Sequence, residues 1–480
     1  MIILVSLAFL ILLLCLARAK PRCGCEVCRA YLMLCWRDEH PNLCDWYVHL
    51  LRNSPTRTIR IHVLGNVVTA NPRNVEYMLK TRFENYPKGK PFSTILGDFL
   101  GRGIFNVDGD LWRFQKKLAS LELDRFSIRS YAFEVVRTEI EDRLNILLSS
   151  VAEKQGVLDL QDVFKRFSFD CMCKFSFGLD PNCLELSLPI SKFAVSFDMA
   201  SMLSAERAMT PSPYVWKMKR FLNLGSEKKL KEAIDVINIL AMEVIRQKRR
   251  IGVAGQNRDL LSRFMLTVNE DAYLRDIIIS FLLAGRDTVA SALTCFFWLL
   301  AQHPSIGARI CSEADQVIGD QDLTSYEQLD KLHYLHASVF ESMRLYPPIQ
   351  FDSKFCLEDD VLPDGTPVAK GTRVTYHPYA MARMEEIWGD DCMEYRPERW
   401  LKDGKFCGEN QYKYPVFQGG TRVCLGKEMA ILEMKSVALA LVRRFRVEPL
   451  DPNQNTLRFS AGLTATVRGG LRVRVSAREK

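Results

Sequence analysis

One cysteine of this 480-residue chain lies in a short turn with several glycines and an arginine. The segment reads Phe417-Gln418-Gly419-Gly420-Thr421-Arg422-Val423-Cys424-Leu425-Gly426. Gly420 and Gly426 let the backbone bend tightly and approach a flat cofactor closely. Arg422 offers a cation to an anionic group of that cofactor, and Phe417 can cover the sulfur. Because a thiolate is a strong metal donor and a thiol is not, the turn predicts a metal-bound thiolate at Cys424.

The turn matches the pattern Phe-x-x-Gly-x-Arg-x-Cys-x-Gly at every fixed position, and on it the chain resembles the cytochrome P450 superfamily. The resemblance implies a mainly α fold with a smaller β portion, in which an α-rich lobe and a β-rich lobe enclose a buried haem b. It implies that Cys424 is the axial thiolate ligand of the iron. It also implies that four neighbours contact the haem: Phe417, Gly420, Arg422 and Gly426.

The segment Gly285-Arg286-Asp287-Thr288 interrupts the long apolar stretch from Ile277 to Leu300, which is predicted to be a helix. A glycine and charged side chains inside an apolar helix lower its stability, so they call for an explanation. The alternative interpretation is that they form the polar face of an ordinary core helix. A threonine hydroxyl that bonds back to a carbonyl can open a helix locally and admit water. The resemblance implies that Asp287 and Thr288 deliver protons during oxygen activation. It gives Ala284 and Gly285 the role of leaving room for O₂.

Glu341 and Arg344 are three residues apart in a helical pattern, so they share a helix face and can pair. By itself this spacing also describes an ordinary surface ion pair. The resemblance implies that the pair joins a later arginine, which is Arg399 in the segment Pro397-Glu398-Arg399-Trp400. We therefore expect a buried network behind the haem with a structural role.

Trp112 and Lys116 occupy the positions of the family pattern Trp-x-x-x-Arg. The resemblance implies that both residues, like Arg422, reach a haem propionate. This chain has lysine where the family has arginine, and lysine offers a point charge instead of a two-pronged donor. We expect slightly weaker propionate binding as a result, without loss of haem.

Several stretches are similar to the plant fatty-acid ω-hydroxylase branch, which also includes enzymes that oxidise jasmonoyl-amino acid conjugates. They are residues 71–83, 85–92, 103–109, 281–288 and 344–348. The resemblance implies hydroxylation of a fatty acyl-type substrate with O₂ and with electrons from NADPH-cytochrome P450 reductase, since no flavin or NADPH segment is found. The alternatives are a haem-thiolate isomerase or dehydratase of fatty acid hydroperoxides and a non-catalytic haem-binding relative.

A fatty carboxylate favours a cation at the channel mouth and apolar walls near the iron. Three basic residues fall in the loop expected between the B and C helices of the family: Lys88, Lys90 and Arg102. The alternative is that they are solvated charges of a surface loop. Four apolar residues fall in the family's substrate-recognition segments: Phe281, Ile349, Phe351 and Leu463. The alternative is that they belong to the hydrophobic core and do not contact a substrate. We expect these residues to bind the substrate.

Residues 1–17 are almost all apolar and carry no charge, and Arg18, Lys20 and Arg22 follow. A helix of this length spans roughly 25 Å, the short end of what crosses a bilayer. We expect an anchor at 1–17, a juxtamembrane linker at 18–44 and a haem-thiolate monooxygenase domain at 45–480. The basic residues favour a cytoplasmic domain on the endoplasmic reticulum membrane. A cleaved signal peptide is the alternative, but no basic residue precedes the apolar run.

Two further patterns are weak. Cys23, Cys25 and Cys28 follow the predicted anchor with a spacing that matches no zinc pattern. Juxtamembrane palmitoylation and no role at all are the explanations that remain. The net charge of +8 is spread along the chain without interleaved aromatic residues, so no nucleic-acid partner is predicted.

Overall fold

The computed structural model describes residues 23–123, 126–185, 192–251, 259–319, 325–451 and 456–478. The predicted anchor at 1–17 lies outside the described residues, as do residues 18–22 of the predicted linker.

Helices form most of the described chain. The α-helices are α1 (Glu26–Met33), α2 (Trp36–Glu39), α3 (Leu43–Arg52), α4 (Pro72–Glu76), α5 (Gly89–Leu100), α6 (Gly109–Leu123), α7 (Phe126–Glu139), α8 (Asn145–Glu153), α9 (Leu160–Phe177), α10 (Lys192–Met209), α11 (Pro213–Phe221), α12 (Gly225–Ile251), α13 (Leu260–Met265), α14 (Asp271–Leu282), α15 (Thr288–Gln302), α16 (Pro304–Val317), α17 (Tyr326–Asp330), α18 (His333–Leu345), α19 (Pro378–Met381), α20 (Glu385–Trp388) and α21 (Lys427–Arg444). Single π-helical turns occur at Tyr77–Thr81, Ile140–Leu144 and Leu283–Asp287. Short 3₁₀ segments occur at His62–Leu64, Phe83–Asn85, Pro397–Trp400, Pro415–Phe417 and Gly420–Arg422.

The strands are short and form small sheets. They are β1 (Thr58–Ile61), β2 (Asn66–Thr69), β3 (Val157–Asp159), β4 (Asp352–Phe355), β5 (Asp360–Val361), β6 (Pro367–Val368), β7 (Arg373–Tyr376), β8 (Leu401–Lys402), β9 (Lys405–Phe406), β10 (Phe445–Pro449), β11 (Phe459–Ser460), β12 (Thr466–Val467) and β13 (Arg472–Ala477). The four-stranded sheet has the order β1-β2-β7-β4, which leaves β4 at an edge. Strands β2 and β7 are parallel, and the other neighbours in this sheet are antiparallel.

Local sequence signals explain the start of this sheet. In β1 and β2, apolar and β-branched residues pair across the hairpin, with Ile59 opposite Val68. The Asn71 side chain then accepts a hydrogen bond from the Arg73 backbone N–H, and Pro72 takes the first position of α4. A cap followed by proline is a typical helix start. The predicted mainly α fold with a smaller β portion is confirmed.

Helix α15 runs through the main hydrophobic core. Its buried aromatic residues include Phe296 and Phe297, and the Phe297 ring lies 5.5 Å from that of Phe164 in α9. The helical stretch Asp271–Gln302 is the one helix of the described ranges that is long and apolar enough to cross a membrane. Since 78% of its apolar window is buried inside the protein, it is explained as a core helix.

The described part of the predicted linker packs on the rest of the described chain. Cys28 and Tyr31 in α1 are buried, and the Tyr31 hydroxyl donates to the Met209 carbonyl at 2.8 Å. Residues 23–44 thus pack against the end of helix α10 and against the β1–β2 hairpin. In this hairpin, the Val63 N–H donates to the Cys28 sulfur at 3.4 Å.

Candidate active site

A cavity of about 1030 Å³ lies between the α14–α15 helices and the cysteine turn. It is lined by residues from distant parts of the chain, most of them apolar. The predicted site residues that line it are Lys88, Trp112, Lys116, Phe281, Ala284, Gly285, Thr288, Ile349, Phe351, Phe417, Arg422, Cys424, Gly426 and Leu463.

The backbone of the cysteine turn explains why Cys424 faces this cavity. The Cys424 N–H donates to the Phe417 carbonyl at 2.9 Å and closes the turn. Gly420 has a φ of +59°, and a Cβ at this position would overlap the Leu79 carbonyl, so only glycine fits. Burial raises the pKa of the Cys424 thiol. A bound cation is therefore needed to keep the sulfur as a thiolate at neutral pH.

Three predicted haem-binding side chains meet at one wall of the cavity. The Arg422 guanidinium lies 4.4 Å from the Trp112 ring centroid, and the Lys116 ammonium lies 5.5 Å from the same ring. Arg422 also donates to Asp108 Oδ1 at 2.6 Å. Burial, and then the charge of Arg422, lower the pKa of Lys116. This wall therefore concentrates positive charge close to Cys424.

A charged group that the sequence analysis missed lies beside this wall. The Asp352 carboxylate is between two lysines, with Lys88 Nζ at 2.5 Å from Oδ1 and Lys354 Nζ at 3.0 Å from Oδ2. Burial lowers the pKa of Lys354 to about 7. The alternation Asp352-x-Lys354 in strand β4 puts both side chains on one sheet face, which is the sequence signal that was available.

The donors at this wall fit the acidic edge of a haem. Arg422 Nε and Lys354 Nζ are buried and make no hydrogen bond to the described residues, although Lys354 has Asp352 as an ion-pair partner. A buried donor without a hydrogen bond costs roughly 1–3 kcal/mol. An anion bound at this edge would remove that cost, while the Cys424 sulfur is available as the iron ligand. The residues therefore fit a haem with its propionates at Arg422 and Lys354.

The helix across the cavity is locally opened at the polar segment Gly285-Arg286-Asp287-Thr288. Residues Leu283–Asp287 form a π-helical turn between α14 and α15. The Thr288 hydroxyl donates back to the Ala284 carbonyl at 2.5 Å. A Cβ at Gly285 would overlap Met172, so this glycine allows helix α9 to approach closely. Single π turns occur frequently at functional sites, where they change the register of a helix.

Asp287 is buried next to Thr288, but its carboxylate does not line the cavity. Its Oδ1 accepts a hydrogen bond from Arg286 at 3.0 Å, and Arg286 also donates to Asp198 at 2.5 Å. Burial raises the pKa of Asp287 despite the opposing charge of Arg286. Asp198, whose side chain is 41% exposed, pairs with Lys165 at 3.0 Å. Ionisable groups thus connect Asp287 to the surface.

Behind the cysteine turn, the predicted Glu341 network is formed completely. Arg344 donates from Nε and Nη2 to the two Glu341 oxygens, each at 2.8 Å. Arg399 Nε donates to the same carboxylate at 3.3 Å, and the Trp400 indole at 2.8 Å. Arg344 uses its remaining donors on three backbone carbonyls. Every charge in this group has a partner.

Comparison with known proteins agrees with this geometry. The family model for cytochrome P450 matches residues 36–471. The chain belongs to the cytochrome P450 family. Cytochrome P450 94C1 of Arabidopsis thaliana is 61% identical over 464 residues, which cover 95% of this chain and 94% of the relative. Cytochrome P450 94A1 of Vicia sativa is 42% identical over 448 residues, which cover 91% of this chain and 87% of the relative.

A solved P450 structure shares the fold. The haem domain of cytochrome P450DA superposes with a TM-score of 0.72 over 86% of this chain and 88% of that one, at 21% identity. The predicted resemblance to the superfamily and to its plant branch is confirmed. The chain is therefore a cytochrome P450 monooxygenase that binds haem through a cysteine thiolate.

Some predicted residues of this P450 lie away from the cavity. Lys90 is exposed and is not among the lining residues. Arg102 is also absent from the lining and lies 3.5 Å from Glu270 on the surface. Lys88 does line the cavity, but its ammonium is already paired with Asp352. The direction of these side chains depends on tertiary packing, which their position in a loop did not indicate.

The cysteines that follow the predicted anchor lie close together. The sulfurs of Cys23, Cys25 and Cys28 are within 4.8 Å of one another. In the part of the chain that the structure describes, no fourth ligand joins them. Palmitoylation at these positions stays a prediction.

Proposed function

We propose that this P450 hydroxylates a fatty acid or a fatty-acid-derived substrate, at the chain end or in a jasmonoyl-amino acid conjugate. It would use O₂ and electrons from NADPH-cytochrome P450 reductase. Bound haem supplies the oxygen-activating chemistry. The observation that carries the proposal is one apolar cavity lined by both Cys424 and Thr288, beside which the buried Asp287 is linked through Arg286 to the partly exposed Asp198.

The cavity walls suit a long hydrocarbon chain. Phe281 on α14 and Leu463 near the β11–β12 hairpin both line the cavity. Ile349 and Phe351 line it from the segment that precedes strand β4. Such walls exclude water and favour burial of apolar surface, at about 25 cal/mol per Å². The orientation of the substrate's hydrocarbon chain is then determined by a few polar groups, as is usual in ligand sites.

Protons would reach the cavity through Thr288. Its hydroxyl donates to the Ala284 carbonyl in this structure, and rotation about χ1 would turn it toward the cavity. Asp287, the next ionisable group, is buried and has a raised pKa, which suits a group that releases a proton and takes one up again. Arg286 holds this carboxylate close to Asp198, whose side chain is partly exposed to solvent.

The proposed location is the endoplasmic reticulum membrane, with residues 1–17 as anchor and the catalytic domain in the cytoplasm. The support is the uncharged apolar run followed by Arg18, Lys20 and Arg22. The packing of α1 against Met209 in α10 is consistent with a short connection between anchor and domain.

The experiment compares two threonines of the same helix. Thr288→Ala removes the cavity hydroxyl, whereas Thr294→Ala removes a buried hydroxyl that makes the same back-bond, to the Ala290 carbonyl at 2.7 Å, away from the cavity. Purified protein is combined with the reductase and NADPH, and hydroxylated product is measured by mass spectrometry. We expect product formation to fall by about 10²-fold in Thr288→Ala and to change little in Thr294→Ala.

The carbon monoxide spectrum of the reduced protein is the control for an intact haem-thiolate centre in both variants. Equal product formation by Thr288→Ala and wild type would contradict the proposed proton route. Turnover of a fatty acid hydroperoxide without NADPH and reductase, together with no hydroxylation, would identify the isomerase instead.

A further inference from the structure

The basic residues that the sequence predicted for the substrate carboxylate are unsuited to it in the structure. Lys90 and Arg102 do not line the cavity, and Lys88 is neutralised by Asp352. A carboxylate inside an apolar channel still requires a cation or several hydrogen-bond donors, because an unpaired buried charge is strongly disfavoured. The cavity therefore has to supply a different cationic group.

Arg373, the first residue of strand β7, is such a group. It lines the cavity and lies deep in the protein, where burial lowers its pKa, yet part of its surface remains accessible. Its Nε donates to the Ser353 hydroxyl at 2.9 Å, and its Nη1 donates to the Ala208 carbonyl at 3.0 Å. No carboxylate lies within ion-pair distance of it in the described ranges, and Nη2 makes no hydrogen bond to their residues. No direct ion pair therefore neutralises its charge in the described ranges, and Asp352 acts on it only from a longer distance.

Arg373 is separated from the cations that fit the haem. Side chains alternate between the two faces of a sheet. Ser353, Arg373 and Thr375 are joined by hydrogen bonds on one face of the β4–β7 pair. Asp352 and Lys354 lie on the opposite face, toward the cysteine turn. A propionate bound at Lys354 would therefore leave Arg373 free for another anion.

The cavity reaches both faces of this strand pair. All four residues of β4, Asp352–Phe355, line it, and β4 is the edge strand of its sheet. An open edge is the place where one cavity can extend from the Cys424 side to the Arg373 side. On the Arg373 side the cavity is also lined by Tyr31 in α1 and by Met209 at the end of α10, which are hydrogen-bonded to each other.

We propose that Arg373 binds the carboxylate of the substrate while the hydrocarbon chain passes the edge of β4 toward Cys424. This inference rests on the proposed function and defines its substrate as an acid. Both proposed substrate types, a free fatty acid and a jasmonoyl-amino acid conjugate, carry a carboxylate, so the same subsite serves either. The Nη2 donor and the second hydrogen of Nη1 would make the paired hydrogen bonds that arginine forms with carboxylates.

The test compares an acid with its neutral ester. Binding of lauric acid and of methyl laurate to the full-length haem protein is followed by the substrate-induced shift of the haem absorption band. The same pair of measurements is made with jasmonoyl-isoleucine and its methyl ester. The variants are Arg373→Gln, Arg373→Lys as the charge-conserving change, and Arg102→Gln and Lys90→Gln as controls for surface charge near the site.

We expect Arg373→Gln to raise the Kd of the bound acid by roughly tenfold or more, since a hydrogen bond to a charged group is lost. The Kd of the ester is expected to stay the same, and Arg373→Lys is expected to restore part of the affinity for the acid. Arg102→Gln and Lys90→Gln are expected to bind acid and ester like wild type.

Three results would overturn the inference, and only the last of them also contradicts the proposed function. If wild type and Arg373→Gln bind the acid equally well, or if the variant weakens acid and ester alike, Arg373 does not bind the carboxylate and the proposed function is untouched. If wild type binds neither acid, the proposed substrate class is wrong and the inference fails with it. The carbon monoxide spectrum reports whether each variant retains its haem-thiolate centre.

Discussion

Two groups of buried cations flank the cysteine turn, and they differ in how completely their donors are used. Behind the turn, Arg344 and Arg399 share the carboxylate of Glu341, and Arg344 spends its remaining donors on carbonyls. In front of the turn, Arg422 Nε and Lys354 Nζ are buried without a hydrogen bond to the described residues. The first group uses all of these donors within the protein, whereas in the second Arg422 pairs with Asp108 and Lys354 pairs with Asp352 but each cation keeps a nitrogen without a hydrogen bond.

This difference separates structural charges from binding charges. A buried ion pair with every donor used contributes to a unique fold, and removing one partner leaves the other charge uncompensated. A buried cation with unused donors is costly on its own, and its presence indicates a ligand. The contrast can be tested by removing one charge from each group.

The largest effect is expected behind the turn. Glu341→Ala leaves Arg344 buried without its carboxylate and leaves Arg399 with Asp391 alone, which costs about 3–5 kcal/mol for such a network. We expect little or no protein with the carbon monoxide spectrum of a haem thiolate. The matched control is Glu398→Ala, which removes an exposed partner of Arg309 and should cost below about 1 kcal/mol. Normal haem incorporation in Glu341→Ala would show that the network is dispensable.

A smaller effect is expected in front of the turn. Arg422→Gln and Lys354→Gln should fold but release haem faster, by roughly tenfold each, because a charge-assisted hydrogen bond to a propionate is lost. Transfer of haem to apomyoglobin measures this rate. Lys116→Gln should have less effect, since its ammonium also donates to the Thr421 carbonyl. Unchanged haem release in both Arg422→Gln and Lys354→Gln would remove the distinction between the two groups.

A third effect, which appears only when the pH is changed, concerns a buried acid with an unused acceptor. Glu433 in α21 has no partner for Oε1, and burial raises its pKa from 4.5 to about 8. Between these values the folded protein binds more protons than the unfolded one, so stability falls as pH rises through this window. Glu433→Gln should remove that fall, and the difference in unfolding temperature between variant and wild type should grow toward pH 8. A constant difference would contradict the raised pKa.

The sequence predicted the features whose residues are close together along the chain. The cysteine turn spans ten residues, and the Glu341–Arg344 spacing places both side chains on one helix face. The back-bond of Thr288 likewise needs only Ala284, four residues earlier. In each case local geometry determines the contact, so the residue pattern contained the information.

The features that the sequence missed depend on distant segments. Lys354 and Arg373 lie on opposite sheet faces because β4 pairs with β7 in a particular register, with Phe355 opposite Arg373. Nothing near Lys90 or Arg102 indicated that these side chains turn away from the cavity. Likewise, nothing near Gly285 indicated that Met172 from another helix packs against it, and its expected role of leaving room for O₂ stays a prediction. Such contacts are decided by tertiary packing and leave no local pattern.

The contact between Gly420 and the Leu79 carbonyl has a consequence for the order of events during biosynthesis. The cysteine turn is made long after the Leu79 segment, on which it has to pack. Arg422 similarly needs Asp108. Closing so long a loop is slow and entropically costly. The cofactor site can therefore close only after both distant segments have been made and have met.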